Sequence, residues 1–217
     1  MKMSAMIKKI APWTGMVGPA LFTLVFTLHG RLRAGYDPVH MYVSELSIGP
    51  LGWIQIVNFM VLGLCLMLFA FGVSKAFPVG KASRAGPILL MVVAACYFIS
   101  GPLVTDPASM FDNQQSVRGF LHGIFGALVF ALSPVCCFVF WRRFRDDANW
   151  KRMRHLSLLA GIVMAAVVVL MKVAQPLSSP LNPWAGLIQR CSLITFYAWV
   201  FVFALNLLRK RKQDDAE

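Results

Sequence analysis

Six uninterrupted apolar stretches, each close to the length of one helical bilayer crossing, constrain this chain more than any other feature. They run approximately over residues 11–28, 51–73, 86–104, 119–141, 156–171 and 186–208. A hydrocarbon core about 30 Å thick takes about 20 predominantly apolar residues per helix. Backbone N–H and C=O groups find no water at that depth, so helices must satisfy them internally. A water-soluble fold fails on composition: with 58% of its 217 residues apolar and 14% charged, and a mean hydropathy of +0.67, too few charges remain to coat a globule. The expectation is an all-α polytopic membrane protein, one domain over residues 1–217 built as a bundle of six transmembrane helices.

A net charge of +12 would suit a nucleic-acid partner if the basic residues formed one patch, but they follow the spans instead. Lys2, Lys8 and Lys9 precede the first; Lys75, Lys81 and Arg84 separate the second and third; six more lie between Arg142 and Arg154; Arg209 to Lys212 follow the last. That places sixteen of 21 basic residues on one side, leaving Arg31, Arg33, Arg118, Lys172 and Arg190 for the other. The positive-inside rule then puts both termini in the cytoplasm and the chain in the cytoplasmic (inner) membrane, with no nucleic-acid partner. Trp13 and Trp141 inside and Trp53 and Trp184 outside fit an aromatic belt. The first stretch follows lysines, as a signal peptide does, but it lacks a small-x-small cleavage site before Arg31 and reads as a retained helix.

The inner connections are short and basic, whereas the outer ones hold Pro, Gly, Asp, Ser and Asn. After the first span, Asp37-Pro38 offers an N-cap and a proline-tolerant first turn, and Val39, Tyr42, Val43 and Leu46 then share one face. A short amphipathic helix lying at the outer interface is expected there, ended by Gly49-Pro50. In the fourth span Gly119, Gly123, Ala127 and Ala131 recur every four residues. Such a small-residue stripe lets another helix approach closely, within the bundle or from a second copy in a homo-oligomer. Pro134 removes one backbone hydrogen bond from the same span.

Topology assigns a depth to each polar residue, and the outer span ends collect the unusual ones: His29, Ser44, Glu45, Asn58, Asp106, Arg118, His122, Lys172, Gln189 and Arg190. Arg118 and His122 share a helix face at i, i+4. Ionisable groups at membrane depth cost roughly 2.5–3.5 kcal/mol near a helix centre, so they turn inward and pair. Glu45 or Asp106 is the expected partner of Arg190. Ser44, Glu45, Asp106, Arg118, His122 and Arg190 are accordingly the candidate outer polar pocket.

These residues also carry a resemblance. Asp37, Ser44-Glu45-Leu46 with Gly49 and Trp53 after it, Thr105-Asp106-Pro107, His122, and Gly186-Leu187 followed by Arg190 are similar to the pattern of the prokaryotic membrane-protein family catalogued as domain of unknown function 998. That resemblance spans most of the chain and implies six membrane helices, with no reaction attached. Two positions depart from it: Gln189 stands where Glu often precedes the last arginine, and Leu103-Val104 where an aromatic-Pro pair precedes Thr-Asp.

Several functions remain open on the sequence. The polar cluster reads as a network that fixes helix positions, or as an outward-facing pocket for a lipid head group or small amphiphile, with Arg118, His122 and Arg190 as donors. An enzymatic reading makes Glu45 or Asp106 and His122 an acid/base pair, or a divalent-metal site, of a lipid hydrolase or transferase. No H-E-x-x-H, G-x-S-x-G or C-x-x-C spacing supports it. Bis-histidine haem would require His29 and His122 on neighbouring helices. No resident metal or cofactor is expected. Cys65, Cys96, Cys136, Cys137 and Cys191 all fall in apolar stretches and read as packing. No inverted repeat and no mid-span charge points to a transporter.

Overall fold

The computed structural model describes residues 2–80, 82–110 and 115–214, so Lys81 of the inner basic set lies outside the described residues. Six α-helices carry the fold, and no strand occurs among the described residues. They are α1 (Lys2–Leu32), α2 (Gly52–Ala76), α3 (Ala85–Ser100), α4 (Val117–Arg143), α5 (Lys151–Ala174) and α6 (Ala185–Asp214). Five of them include a segment long and apolar enough to cross a membrane. The chain is therefore a helical polytopic membrane protein. Its lipid-facing character is visible in side chains such as Leu24, Val57, Ile124, Leu159 and Ile162, which stay exposed on helix flanks. That much apolar surface would be an aggregation liability in water.

The third helix is the short one. Its 16 residues span about 24 Å at 1.5 Å per residue, and it stops at Ser100 rather than near residue 104. Gly101 keeps helical angles and its N–H turns to Phe98 O in a tightened last turn, and Pro102, which has no N–H to donate, ends the ladder there. Residues 103–107 then run without regular structure toward a 3-10 turn at Ala108–Met110.

Each helix packs antiparallel against its sequence neighbours, and α6 returns to pack on α1, so the six form a closed ring in chain order. With no water to expel, membrane helices associate through close packing. Gly63 illustrates how tight that packing is: a Cβ there would sit 2.6 Å from the Phe98 backbone nitrogen on α3. At the end holding both termini, the interior is aromatic. Phe140, Phe144, Trp150 and Phe203 meet with ring centroids about 5 Å apart, as in the Phe140–Phe203 pair at 4.9 Å and the stacked Phe144–Trp150 pair at 4.9 Å. Midway, Phe22 meets Phe59 at 5.3 Å and Tyr197 at 5.5 Å, and the Tyr197 hydroxyl donates to the Tyr97 hydroxyl at 3.1 Å.

The far end, away from the termini, is closed by connections instead of rings. The first connection carries its expected short helix as a five-residue 3-10 turn, Val43–Ser47, which begins after Tyr42 and not at Asp37. Asp37 still nucleates local structure, its Oδ1 accepting from the Val39 N–H at 2.9 Å. Val43, Glu45, Leu46 and Ser47 are buried, so this segment is tucked into the mouth of the ring instead of lying flat on a surface. Backbone bonds from Gly186 N to His40 O (3.0 Å) and from Leu187 N to Val39 O (2.8 Å) fasten it to the start of α6.

Candidate functional site

The mouth segment is where the sequence-predicted polar residues come together, though not as an ion-paired pocket. Arg190, on the second turn of α6, is 9% exposed. Its Nη1 donates to Met41 O and Gly186 O at 2.9 Å each, its Nη2 donates to the Tyr36 hydroxyl, and its guanidinium lies over the Phe26 and Tyr36 rings. None of these acceptors is a carboxylate, so the expected pairing of Arg190 with Glu45 or Asp106 does not occur. Carbonyls of the incoming loop reach the guanidinium first, because Met41 is brought within range by the same backbone bonds that dock residues 39–40 on α6.

Glu45 and Asp106 are used as fasteners. Glu45 is 4% exposed; its Oε2 accepts from the Tyr42 N–H at 2.8 Å, a reach back across its own turn, and its Oε1 accepts from the Ala108 N–H at 3.1 Å. It thereby ties the first far connection to the second. Asp106 accepts from the Ser116 N–H at 2.6 Å and from the Ser116 hydroxyl at 2.9 Å, while Ser116 Oγ accepts from the Gly119 N–H at 3.0 Å. A carboxylate beside an N-cap serine suits the positive end of α4. Each oxygen of both carboxylates thus accepts a hydrogen bond from the connections or the α4 N-cap. No cluster of three or more potential ligands for a metal exists among the described residues.

Burial pushes the Tyr36 hydroxyl above its ordinary range, against the opposing charge and hydrogen bond of Arg190. Burial first, and then the Glu45 charge, raises Tyr42 likewise. Both phenols therefore stay protonated at neutral pH.

Beside this fastened segment lies a cavity of about 330 Å³. Its polar wall holds Tyr42 and Ser44 from the mouth segment, Ser100, Thr105, His122, Lys172 from α5, Gln175 just after it, and Gln189 from α6. Its apolar wall holds Phe59, Val129, Phe130, Val168, Met171 and Leu193. Of the six candidate residues only Ser44 and His122 line it. Glu45, Asp106 and Arg190 support its roof, and Arg118 is exposed and outside the lining.

Within the chain the α4 stripe does not carry the helix packing that one reading of its spacing suggested. Gly119, Gly123, Ala127 and Ala131 all line the cavity, over about 18 Å of helix. At Gly123, and at Gly126 beside it, an added Cβ would meet nothing within 4 Å. No helix packs there. The close approach of α4 to α5 comes beyond Pro134, where a Cβ on Gly161 would sit 2.7 Å from the Phe138 ring. Gly123, Ala127 and Ala131 are exposed, so the cavity opens sideways through the stripe.

His122 is 7% exposed and is the one histidine of the lining. Its Nδ1 lies 2.6 Å from Leu103 O and 3.1 Å from Ser100 O, and Phe59 meets its ring edge-on at 5.9 Å. Carbonyl oxygens only accept, so the proton sits on Nδ1, and in the neutral ring Nε2 is an acceptor. Nε2 has no hydrogen-bond partner among the described residues and, unlike both ring nitrogens of His29, is not sealed from open space. His29 itself belongs to α1, which faces α4 across the ring and does not pack on it, so the two histidines are not brought together.

Tyr36 and Ser100 are absent from the residues singled out in the sequence, and Thr105 enters there only through the family pattern. The two hydroxyls had a signal in the polar residues that end the third span; Tyr36 had none. Gln189, one of the polar residues at the outer span ends and a departure from the family pattern, accepts from the Val43 N–H at 2.8 Å through Oε1, a bond a carboxylate would serve equally.

Comparison with known proteins gives a family and nothing more specific. The family described as protein of unknown function (DUF998) matches residues 16–206. No curated protein and no solved structure matches the chain.

Proposed function

The chain belongs to the DUF998 family, whose description assigns no activity, and within that frame we propose that it binds one lipid-like amphiphile in the cavity between its helices. The protein sits in the cytoplasmic membrane with both termini inside, so the cavity mouth lies in the outer leaflet. The sixteen-to-five division of basic residues supports that orientation. In it α3 completes the sixth crossing, with the unwound residues 101–107 reaching the interface.

The observation that carries the proposal is the pairing of an unfilled wall with an unused polar atom. A cavity of about 330 Å³ lies at the small end of the range for ligand sites, which are mostly apolar with a few placed polar groups. Here the polar groups gather at the far end, and the apolar side chains continue toward the bundle middle, in the order an amphiphile would present head and tail. A lateral opening through Gly123, Ala127 and Ala131 lets such a molecule enter from the bilayer without crossing water. The fastening of the roof by Arg190, Glu45 and Asp106 keeps the polar end preformed, which lowers the cost of binding.

Native mass spectrometry of the detergent-purified protein tests this. The wild-type protein should retain a single-amphiphile adduct, and Gly123→Leu, which places a side chain in the opening, should lose it while staying folded. A folded wild-type protein that holds no adduct, even with amphiphiles supplied, would overturn the proposal.

A further inference from the structure

On the reading that the cavity holds an amphiphile, we propose that its ligand has a neutral, hydroxyl-bearing head of the monoacylglycerol or long-chain alcohol type, whose hydroxyl donates a hydrogen bond to His122 Nε2. Leu103 O and Ser100 O claim the Nδ1 hydrogen, so the ring offers the cavity a lone pair. A hydroxyl satisfies that lone pair. A carboxylate or phosphate set against it would bring two acceptors face to face.

Charge points the same way. Among the described lining residues there is no carboxylate and a single cation, Lys172, exposed at the mouth with its ammonium donating to Gln175 Oε1 at 3.4 Å. Arg33 and Arg190 are committed elsewhere, Arg33 donating to Glu45 O and Arg190 to Met41, Gly186 and Tyr36, and Arg118, one turn before His122, is exposed and outside the lining. An anionic head drawn in beside His122 would therefore lose its hydration without gaining a counter-charge there, a cost that a neutral head avoids. Ser44, Ser100 and Thr105 share that end of the cavity. Hydroxyls both donate and accept, which suits a second hydroxyl on the same head.

Binding to the delipidated full-length protein in detergent, with matched single-chain probes, tests the assignment: a 1-monoacylglycerol, the fatty acid of the same chain, and the corresponding lysophosphatidylcholine. The variant is His122→Asn, whose side-chain N–H₂ can still serve the Leu103 and Ser100 carbonyls but which has no atom in place of Nε2. The monoacylglycerol should bind about tenfold more tightly than the fatty acid, and His122→Asn should remove about that factor while leaving fatty-acid binding and the melting temperature nearly unchanged. Preference for either charged probe, or monoacylglycerol binding indifferent to His122→Asn, would overturn the head assignment and leave the amphiphile reading standing. If no probe binds the wild-type protein better than it binds Gly123→Leu, both fall.

Discussion

Placing leucine at two glycines, Gly63 on α2 and Gly123 on α4, separates an open wall from a packed one. At Gly63 the added Cβ alone would lie 2.6 Å from Phe98 N, 2.7 Å from Phe98 Cβ and 2.8 Å from Ala94 O, two of them backbone atoms of α3 that cannot swing aside. Overpacking of that kind costs about 1–3 kcal/mol, and more where backbone must move. At Gly123 nothing lies within 4 Å. There the change removes a helix-interior glycine, worth about 0.5–1 kcal/mol in α-helix propensity, and the new side chain gains contacts along the cavity wall. For a chain of this size 1 kcal/mol moves the melting temperature by about 2–4 °C. In delipidated detergent samples Gly123→Leu should therefore melt at, or up to about 4 °C above, the wild-type temperature, while Gly63→Leu melts several degrees below it. Intrinsic-fluorescence scanning reads both, since Trp150 and Trp199 are buried in the bundle. If Gly123→Leu loses as much as Gly63→Leu, a helix packs on the stripe, the cavity is closed, and the amphiphile site loses its entrance.

Cysteine at exposed Ser178 should react with an impermeant thiol reagent on intact cells, and cysteine at exposed Asn149 only after lysis; the reverse pattern would invert the proposed orientation. Arg190→Met should destabilise by about 2 kcal/mol or more, because it releases Met41 and Tyr36 from α6. That cost should be unchanged within about 0.5 kcal/mol in an Asp106→Asn background. A double-mutant cycle with a larger coupling would show that the two charges interact after all.

The sequence by itself determined the architecture. Six apolar stretches leave a bilayer-spanning chain no economical choice but helices, since every backbone group must be satisfied locally, and each predicted span contains or overlaps one observed helix. It also located the polar residues at the far end, because depth follows from position along a span. What it could not supply was the partner of each one. Arg190 had two nearby carboxylates as candidates, yet it bonds to Met41 O and Tyr36, because the docking of residues 36–47 on α6 is a long-range contact with no local periodicity. Asp106 looked like a site residue and is an N-terminal fastener of α4, a role fixed by Ser116 ten positions away.

The glycine stripe shows the limit most sharply. Spacing of small residues every four positions establishes that one helix face is smooth, whereas whether that smooth face meets a neighbouring helix or bounds a void depends on where the neighbour lies. Only the tertiary arrangement decides that. Here α4 and α5 come close beyond Pro134 and leave Gly123 and Gly126 uncovered, so a pattern that ordinarily draws helices together becomes the open side of a cavity that His122 also lines.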